Sequence, residues 1–484
     1  MAITLGLDIG TTGCKVVALS PTGKILGEAS ATYPLLTDAS GQAEQDPYAI
    51  WQAVCQSLQN LSGQLSHSGV PQPAGLSLSG AMHSILPLGA HAEPLGNALT
   101  WADSRAKGPV TDGAEDIYEK TGCPLETPYH PARLRWFRKT QPGLFHRTRT
   151  FVSLKDYVAY RLTGTLATDI GMASTTGLLD IREAHWYKGA LTLAGISADV
   201  LPELTSPTAQ LGTVTPEAAA ATGLEPGTAI FTGTSDGGLA NLGSGVVRPG
   251  ETVVTVGTSG AVRQVADAPQ LGPEGLTWCY LLAENRYFAG GAINNGGLAL
   301  EWLRATLYSE LSEDEGFKRL LEGAAEAAPS SVICLPYLTG ERTPHWDASL
   351  RGAVFGVGKA HGRADLARAG LEGVAFCLAD VYDLLRPNEQ PVQLTGGVTR
   401  SPFWAQLITD TLGVRTELNR VADASAIGAA LLAQIALGWT TFEGAAQLAS
   451  TGERTLLTPD PEKHAVLSEK RRRAHTLLAA TRGL

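Results

Sequence analysis

The chain of 484 residues carries 37 Lys and Arg against 47 Asp and Glu, and its net charge of −10 offers no basic field for nucleic acid or acidic membranes. A hydrophobic content of 44% with 17% charged residues is typical of a soluble globular protein, and the length favours two large domains. Six scattered cysteines, no signal peptide and no long apolar run predict a cytoplasmic protein without membrane or nucleic-acid partners.

The first elements predict a β-hairpin around a glycine-threonine turn. Two apolar runs, 3–9 and 16–19, flank Asp8 and the turn Gly10-Thr11-Thr12-Gly13. Free amides in such a turn, with the two threonine hydroxyls, could surround a phosphate. The carboxylate of Asp8 could hold a divalent metal. An ordinary hairpin without a ligand is the alternative at this point.

A helix and two strands follow, and each strand delivers a polar loop. Asp46 and Pro47 predict the start of a helix, while residues 74–80 and 95–101 predict strands. Loops at strand ends are where open α/β sheets bind ligands. The residues that could line a polyol pocket are Met82, His83, Trp101, Asp103 and Arg105. The alternatives are a structural histidine, a core tryptophan and a surface pair between Asp103 and Arg105.

The middle of the chain leads to a candidate base. Residues 106–230 are mostly helical by pattern, and Gly164 is placed to end one of these helices. An apolar strand at 228–233 then runs into Asp236 at the start of a helix. Asp236 is our candidate for the carboxylate that accepts a proton from a substrate, and capping of the helix is its alternative role.

Residues 251–265 repeat the opening arrangement of strand, turn and strand, here with the turn Gly257-Thr258-Ser259-Gly260. Gly10 and Gly257 lie 257 − 10 = 247 residues apart, about half the chain. This spacing predicts an internal duplication, with domains at 1–246 and 247–484. Thr255 stands where the first copy has Asp8, so only the first turn carries a candidate metal ligand.

The second half alternates strands with helices, which predicts α/β architecture. Strands are expected at 287–289, 332–335 and 392–394, and Pro402 is expected to start a helix that runs to Leu412. A Gly396-Gly397 turn precedes that helix and would let a ribose or flat ring approach the backbone. The patterns of a P-loop, a Rossmann site, a serine hydrolase and a zinc enzyme are absent from the sequence.

These three turns together predict a nucleoside triphosphate held between two domains. Five motifs resemble, in their order, those of the FGGY carbohydrate kinases, within the actin/hexokinase/heat-shock ATPase superfamily. They are Asp-Ile-Gly-Thr-Thr (8–12), Gly-Ala-Met-His (80–83), Thr-Ser-Asp-Gly (234–237), Val-Gly-Thr-Ser-Gly (256–260) and Gly-Gly-Val-Thr-Arg-Ser (396–401). The resemblance covers essentially the whole chain.

The resemblance implies two ribonuclease-H-like domains around a central cleft, with sugar on the first and ATP between the two. It assigns Asp8 to the Mg²⁺–phosphate region and Asp236 to the general base that also contacts the sugar. The ATP-binding residues that it implies are Gly10, Thr11, Thr12, Gly257, Thr258, Ser259, Gly396, Gly397 and Ser401. A homodimer is an expectation from the family.

Within the family the chain looks most like gluconate kinases, and xylulokinases come next. Xylulokinases typically follow Met-His with Gly and the catalytic Asp with Asn, where this chain has Ser84 and Gly237. The chain also has Arg133 where the family usually has a lysine before tryptophan. A sugar acid would favour a cationic partner in the pocket, and Arg105 and His83 are the candidates.

The leading hypothesis is therefore an ATP-dependent kinase for gluconate or a related open-chain sugar acid. A kinase for xylulose or another ketopentose is the alternative substrate assignment. A catalytically silent nucleotide-binding sensor or assembly module is the alternative from another class. Retention of Asp8, Asp236 and both turns argues against that module, since binding alone has no evident need for Asp236.

Overall fold

The computed structural model describes residues 2–106, 116–385, 390–450 and 454–482. Its first sheet has five core strands, which are β1 (Ile3–Ile9), β2 (Gly13–Leu19), β3 (Ile25–Thr32), β4 (Pro73–Gly80) and β5 (Ala229–Ser235). Their spatial order is β3-β2-β1-β4-β5. The first three strands are antiparallel, whereas β4 runs parallel to β1 and β5 parallel to β4.

The second sheet repeats this topology with five strands of its own. They are β6 (Thr252–Val256), β7 (Gly260–Ala266), β8 (Arg286–Ile293), β9 (Val392–Gly396) and β10 (Thr416–Asn419). The order is β8-β7-β6-β9-β10, and again the last two strands are the parallel ones. The predicted doubled α/β fold is confirmed, because both Gly-Thr turns connect the first two strands of matching sheets.

The remaining strands extend these two sheets or form small sheets of their own. They are Leu36–Thr37, Ala43–Gln45, Leu86–Leu88, Ala98–Leu99, Thr150–Val152, Ala167–Asp169, Leu179–Asp180, His185–Trp186, Glu203–Thr205, Gln210–Thr213, Trp278–Ala283, Ile333–Leu335, Ala353–Phe355 and Arg454–Leu457. Gln210–Thr213 extends the first sheet, whereas Trp278–Ala283 and Arg454–Leu457 extend the second at its two edges.

Five helices position the site or test a prediction. They are α1 (Pro47–His67), α2 (Asp236–Gly243), α3 (Gly297–Leu307), α4 (Pro402–Leu412) and α5 (Ala424–Ala436). The other α-helices are Ile117–Thr121, His130–Thr140, Pro142–Arg147, Leu154–Thr163, Ile170–Ser174, Lys188–Ala194, Pro216–Thr222, Glu313–Glu326, Arg363–Leu384, Phe442–Ala449 and Pro461–Thr481. Short 3₁₀ turns lie at Ala198–Val200, Pro273–Gly275 and Gly397–Arg400.

Several local predictions are confirmed by their capping chemistry. The carboxylate of Asp46 accepts the amide of Tyr48 at the start of α1. Gly164 ends the helix Leu154–Thr163 with φ at 76°, a left-handed conformation that favours glycine. Helix α4 has the predicted bounds.

Two local predictions are wrong in part. The strand expected at 95–101 is confined to Ala98–Leu99. The region 106–230 is not mostly helical throughout, because strands such as Thr150–Val152 and Ala167–Asp169 interrupt it. Strands of two or three residues are too short to produce an alternating pattern, so sequence periodicity misses them. Residues 107–115 of this region lie outside the described residues.

Two central helices pack closely because small residues face each other. A Cβ atom added at Gly243 of α2 would lie 1.9 Å from the carbonyl oxygen of Ala424, and one at Gly428 of α5 would lie 2.0 Å from that of Leu239. Helix α5 also packs on β1, where a Cβ atom at Gly6 would meet the backbone of Ala426. The second half of the chain therefore contributes a helix to the first sheet, although the proposed boundary near residue 247 lies between the two sheets in sequence.

Candidate active site

A cavity of about 350 Å³ lies between the two sheets, and both halves of the chain line it. Six of the predicted site residues meet there. They are Thr11, Met82, His83, Trp101, Asp236 and Ser259. Because these positions come from both turns, both polar loops and the start of α2, the fold gathers residues that are widely separated in sequence.

The first turn, at 10–13, is held through its carbonyl oxygens. The Tyr33 hydroxyl donates to two of them, at 2.8 and 2.9 Å, and the Tyr33 amide donates to a third. Nε2 of Gln45 donates to the fourth, at 2.8 Å. Among the described residues, the amides of Thr11 and Thr12 donate to no protein acceptor. These two amides are therefore free to bind an anion such as phosphate.

The second turn, at 257–260, is held in the same manner by helix α3. The amide of Gly297 donates to the carbonyl of Gly257 at 2.7 Å, and the amide of Leu298 donates to that of Thr258 at 2.9 Å. The amides of Thr258 and Ser259 have no protein acceptor within the part of the chain that the structure describes. Both turns thus leave two adjacent amides for a ligand.

The glycine pair at the end of β9 lies beside the second turn. Gly396 is opposite Val256, and a Cβ atom on it would come within 2.5 Å of the Val256 carbonyl oxygen. Its φ of 85° with ψ of −158° is a conformation that essentially only glycine adopts. Gly396 and Gly397 are both exposed, so their backbone can be approached closely by a ligand.

Asp8 lies at the end of β1 in an acidic environment. Its carboxylate accepts a hydrogen bond from the hydroxyl of Ser79. Burial, together with the nearby carboxylates of Asp236 and Asp423, raises the pKa of Asp8 to about 7, and the hydrogen bond from Ser79 opposes that shift. A carboxylate that is held in this way would be stabilised in its charged form by a cation.

Asp236 is the first residue of α2, and its carboxylate accepts the amide of Gly237 at 2.7 Å. Burial raises its pKa, while this amide and the charge of Arg263 oppose that shift. Arg263 is itself buried and donates from Nε to Asn241 at 3.0 Å and from Nη2 to the hydroxyl of Thr255 at 2.9 Å. The candidate base is thus near a fixed guanidinium that also reaches β6, the strand before the second turn.

The two polar loops line the same cavity. Nε1 of Trp101 donates to the hydroxyl of Thr11 at 3.0 Å, which connects this loop to the first turn. Nδ1 of His83 lies 2.9 Å from the carbonyl oxygen of Thr175. Burial lowers the pKa of His83 to about 3, so the ring is neutral at pH 7. A neutral ring that donates from Nδ1 leaves Nε2 to accept a hydrogen bond from a hydroxyl.

Arg133, at the position where the family usually has lysine, fixes both polar loops. Its guanidinium donates to the carbonyl oxygens of His83 and Thr100, and Nε donates to that of Thr127 at 3.2 Å. The residue is almost completely buried, with 1% of its surface exposed. Five donors in one plane can reach several carbonyls at once, which a lysine ammonium on a flexible chain does less well.

Three of the predicted residues outside the cavity lining have their side chains bonded to other protein groups. The guanidinium of Arg105 is bonded to Asp103 at 2.7 Å and to Glu44 at 2.5 Å, so the alternative of a loop pair describes these residues. Asp103 is buried and also accepts the amide of Ala43 at 2.9 Å. Ser401 caps helix α4, since its hydroxyl accepts the amide of Trp404 at 3.3 Å. The charged groups of Arg105 and Asp103 and the hydroxyl of Ser401 are therefore bonded to other protein groups.

Sequence reasoning missed two cationic residues of the cavity, Arg263 and Arg342, and an aromatic wall that includes Trp278 and Tyr280. The rings of Trp278 and Tyr280 are stacked with centroids 4.5 Å apart. A single arginine in a strand or loop has no spacing signal, so only the tertiary structure shows that it faces the cavity.

Two features of the described residues bear on other classes of function. None of the described helices is long and apolar enough to cross a membrane. Across the described ranges, no group of three or more His, Cys, Asp and Glu side chains is arranged to hold a metal ion. A site with a single carboxylate such as Asp8 fits Mg²⁺, which is usually held by one or two carboxylates with the remaining ligands from phosphates and water.

Comparisons with known proteins agree with this geometry. Models of the N-terminal and C-terminal domains of the FGGY family of carbohydrate kinases match residues 3–243 and 252–437. A gluconokinase from Bacillus licheniformis is 35% identical over 453 residues, which cover 90% of this chain and 87% of that protein. A solved gluconate kinase from Lactobacillus acidophilus is 32% identical with a TM-score of 0.92, covering 100% of this chain and 99% of that one. A ligand-bound xylulose kinase from the same organism gives the same identity, TM-score and coverage.

Proposed function

The chain belongs to the FGGY family of carbohydrate kinases, and on that premise we propose that it transfers a phosphoryl group from ATP to a hydroxyl of gluconate. The observation that carries this proposal is the meeting of both Gly-Thr turns and Asp236 around one cavity. The choice of gluconate is supported by similarity to proteins named gluconokinase and gluconate kinase, and by two arginines in the cavity lining.

In the proposed reaction the carboxylate of Asp236 accepts the proton of the attacking hydroxyl. Its position on the first turn of α2 gives it a fixed direction, and burial raises its pKa toward the range useful for a general base. The substrate-binding groups we propose are Nε2 of His83, for a hydroxyl, and the indole ring of Trp101, for the carbon chain. Met82 packs against Gly237, where a Cβ atom would lie 3.0 Å from the Met82 methyl group, so this loop and the base are in contact.

ATP and Mg²⁺ are the proposed donor and ion. The free amides of Thr11, Thr12, Thr258 and Ser259 fit phosphate oxygens, and the exposed Gly396-Gly397 backbone fits the nucleoside. The partly buried carboxylate of Asp8 fits the metal. When bound, the metal would neutralise charge on the phosphate oxygens.

Replacing Asp8 with Asn is expected to change the pH dependence of stability in the ligand-free protein. The folded pKa of about 7 lies above the unfolded value of 3.8, so the wild type loses stability as pH rises from about 4 to above 7. Asp8→Asn removes this loss and should raise the free energy of unfolding at pH 8 by roughly 1–3 kcal/mol, with no gain at pH 4. Denaturant unfolding at the two pH values measures the difference.

Addition of Mg²⁺ with a nucleotide provides the control for Asp8. It should stabilise the wild type at pH 8 and stabilise Asp8→Asn less, because the variant lacks the charged ligand. Equal stabilisation of both proteins would contradict the assignment of Asp8 to the metal. Equal pH dependence of the two proteins would contradict its raised pKa.

Two alternatives remain distinct from gluconate phosphorylation. Phosphorylation of xylulose is supported by a solved xylulose kinase, which is as similar to this chain as the solved gluconate kinase is. A binding protein without transfer would retain the turns, but would have no evident use for a carboxylate placed as Asp236 is.

A coupled assay of ADP release over gluconate, xylulose, ribulose and glycerol tests the proposed function. We expect the highest kcat/KM with gluconate. A clear preference for xylulose would replace the substrate assignment, and nucleotide binding without release of ADP for any acceptor would favour the binding protein.

A further inference from the structure

The guanidinium of Arg342, from the second half of the chain, lies beside the polar loop of Trp101 in the cavity. Nε of Arg342 donates to Oδ1 of Asn294 at 2.7 Å, and Nη2 donates to the carbonyl oxygen of Ile293 at 3.2 Å. Its central carbon lies 5.1 Å from the centroid of the Trp101 indole. Arg342 is thus held at a fixed place above a side chain of the proposed sugar site.

The charge of Glu341 acts on Arg342, but among the described residues no carboxylate oxygen lies within ion-pair distance of the Arg342 guanidinium. The adjacent Glu341 is directed to the backbone, where its Oε1 accepts the amides of Asn294 and Arg342. Nδ2 of Asn295 donates to the other oxygen at 3.3 Å. A partly buried guanidinium with no carboxylate bonded directly to it is costly, and an anionic ligand would offset that cost.

The other basic side chains near the polar loops are either bonded to other protein groups or neutral. Arg105 is paired with Asp103 and Glu44, and Arg133 is bonded to backbone carbonyls. His83 is neutral at pH 7 because burial lowers its pKa to about 3. The predicted partners for a substrate carboxylate, Arg105 and His83, are therefore not suited to that role.

Arg263 faces the same cavity but is held by a different set of partners. It is bonded to Thr255 on β6 and to Asn241 on α2, near Asp236 and the second turn. A cation there is placed for the phosphoryl group or the reacting hydroxyl rather than for the far end of an acceptor. The two arginines thus have separate positions along the cavity.

We infer that Arg342 binds the carboxylate of a sugar acid and makes the site selective for acids over neutral polyols. The inference rests on the proposed kinase function and names the residue that would decide the class of acceptor. The planar guanidinium fork matches a carboxylate with two parallel hydrogen bonds. An open-chain acid could then lie along the Trp101 face with its carboxylate at Arg342 and a terminal hydroxyl at Asp236, since all three residues line one cavity.

Two substitutions separate charge from geometry. Arg342→Gln should lower kcat/KM for gluconate by about 100-fold or more, mainly through KM, because a charged partner is lost inside a cavity. The same variant should change kcat/KM for the neutral compounds xylulose and glucitol by less than about threefold, since neither has a carboxylate to pair. Arg342→Lys keeps the charge and should recover part of the preference for gluconate. Arg105→Gln, a nearby but paired guanidinium, should leave the ratio of gluconate to neutral acceptors unchanged.

Calorimetric titration of gluconate without ATP decides the inference independently of turnover. We expect gluconate binding to weaken by a similar factor in Arg342→Gln and to be retained in Arg105→Gln. Equal losses for gluconate and neutral acceptors, or unchanged gluconate binding, would overturn the inference. A wild type that binds gluconate but does not phosphorylate it would contradict the proposed function alone, whereas a wild type that does not bind gluconate would contradict both.

Discussion

Replacing Asp236 with Asn is expected to lower kcat by about 10²–10⁴-fold, because an amide cannot accept the proton of the attacking hydroxyl. The KM or Kd for gluconate should change little, since Asn keeps the shape of the side chain and can still accept the amide of Gly237. Rapid-quench measurement of a single turnover would show whether the chemical step itself is slowed. Near-normal turnover in Asp236→Asn would contradict its role as the base.

A matched control separates loss of the base from damage to a helix start. The carboxylate of Asp460 caps the helix Pro461–Thr481 by accepting the amides of Glu462 and Lys463, and it lies outside the cavity. Asp460→Asn makes the same chemical change at a helix start and should preserve both kcat and stability, because Asn is as good a cap as Asp. A decrease in kcat in both variants would indicate a general effect on folding.

The pH dependence of the wild type follows from the same carboxylate. Burial raises the pKa of Asp236, and only the ionised form can accept a proton. The kcat/KM should therefore fall as pH decreases through that raised pKa. Asp236→Asn should lack this acidic limb, although its residual rate is small.

The parts of the site that sequence could predict are those with a local pattern. The Gly-Thr turns are short, their glycines occur at fixed spacing from apolar strands, and the second copy appears at half the chain length. Asp236 is similarly marked by the strand before it and the helix after it. Such features depend on neighbours in sequence, so they can be read without the tertiary structure.

The parts that could not be predicted depend on contacts between distant residues. Arg342 and Trp101 are far apart in sequence, yet their side chains meet because two sheets face one cavity. Arg105 next to Asp103 gives the same local signal whether the pair serves a substrate or, as the structure shows, a buried network with Glu44. Helix α5 follows β10 of the second sheet in sequence but packs on the first sheet, which no periodicity indicates.

Arg263 connects the two halves of the site at the base. It extends from β7 to Asn241 on α2 and to Thr255 on β6, so one side chain fixes the start of α2 against the second turn. Thr255 also lies 2.8 Å from the hydroxyl of Thr395, hydroxyl to hydroxyl. The second sheet thus has a hydroxyl where the first has the carboxylate of Asp8, and this hydroxyl accepts a hydrogen bond from a guanidinium.

Replacing Arg263 with Met is expected to lower kcat at pH 7 by about 10²-fold, for every acceptor alike. The positive charge of Arg263 favours the ionised form of Asp236, so its removal raises the pKa of Asp236 and shifts the acidic limb of kcat/KM to higher pH. Raising the pH should then recover part of the lost rate, which a purely structural defect would not do. Arg263→Lys keeps the positive charge, so its acidic limb should shift less than that of Arg263→Met. Thermal unfolding of both variants would confirm that the fold is intact. An unchanged pH profile in folded Arg263→Met would show that Arg263 does not control the charge of Asp236.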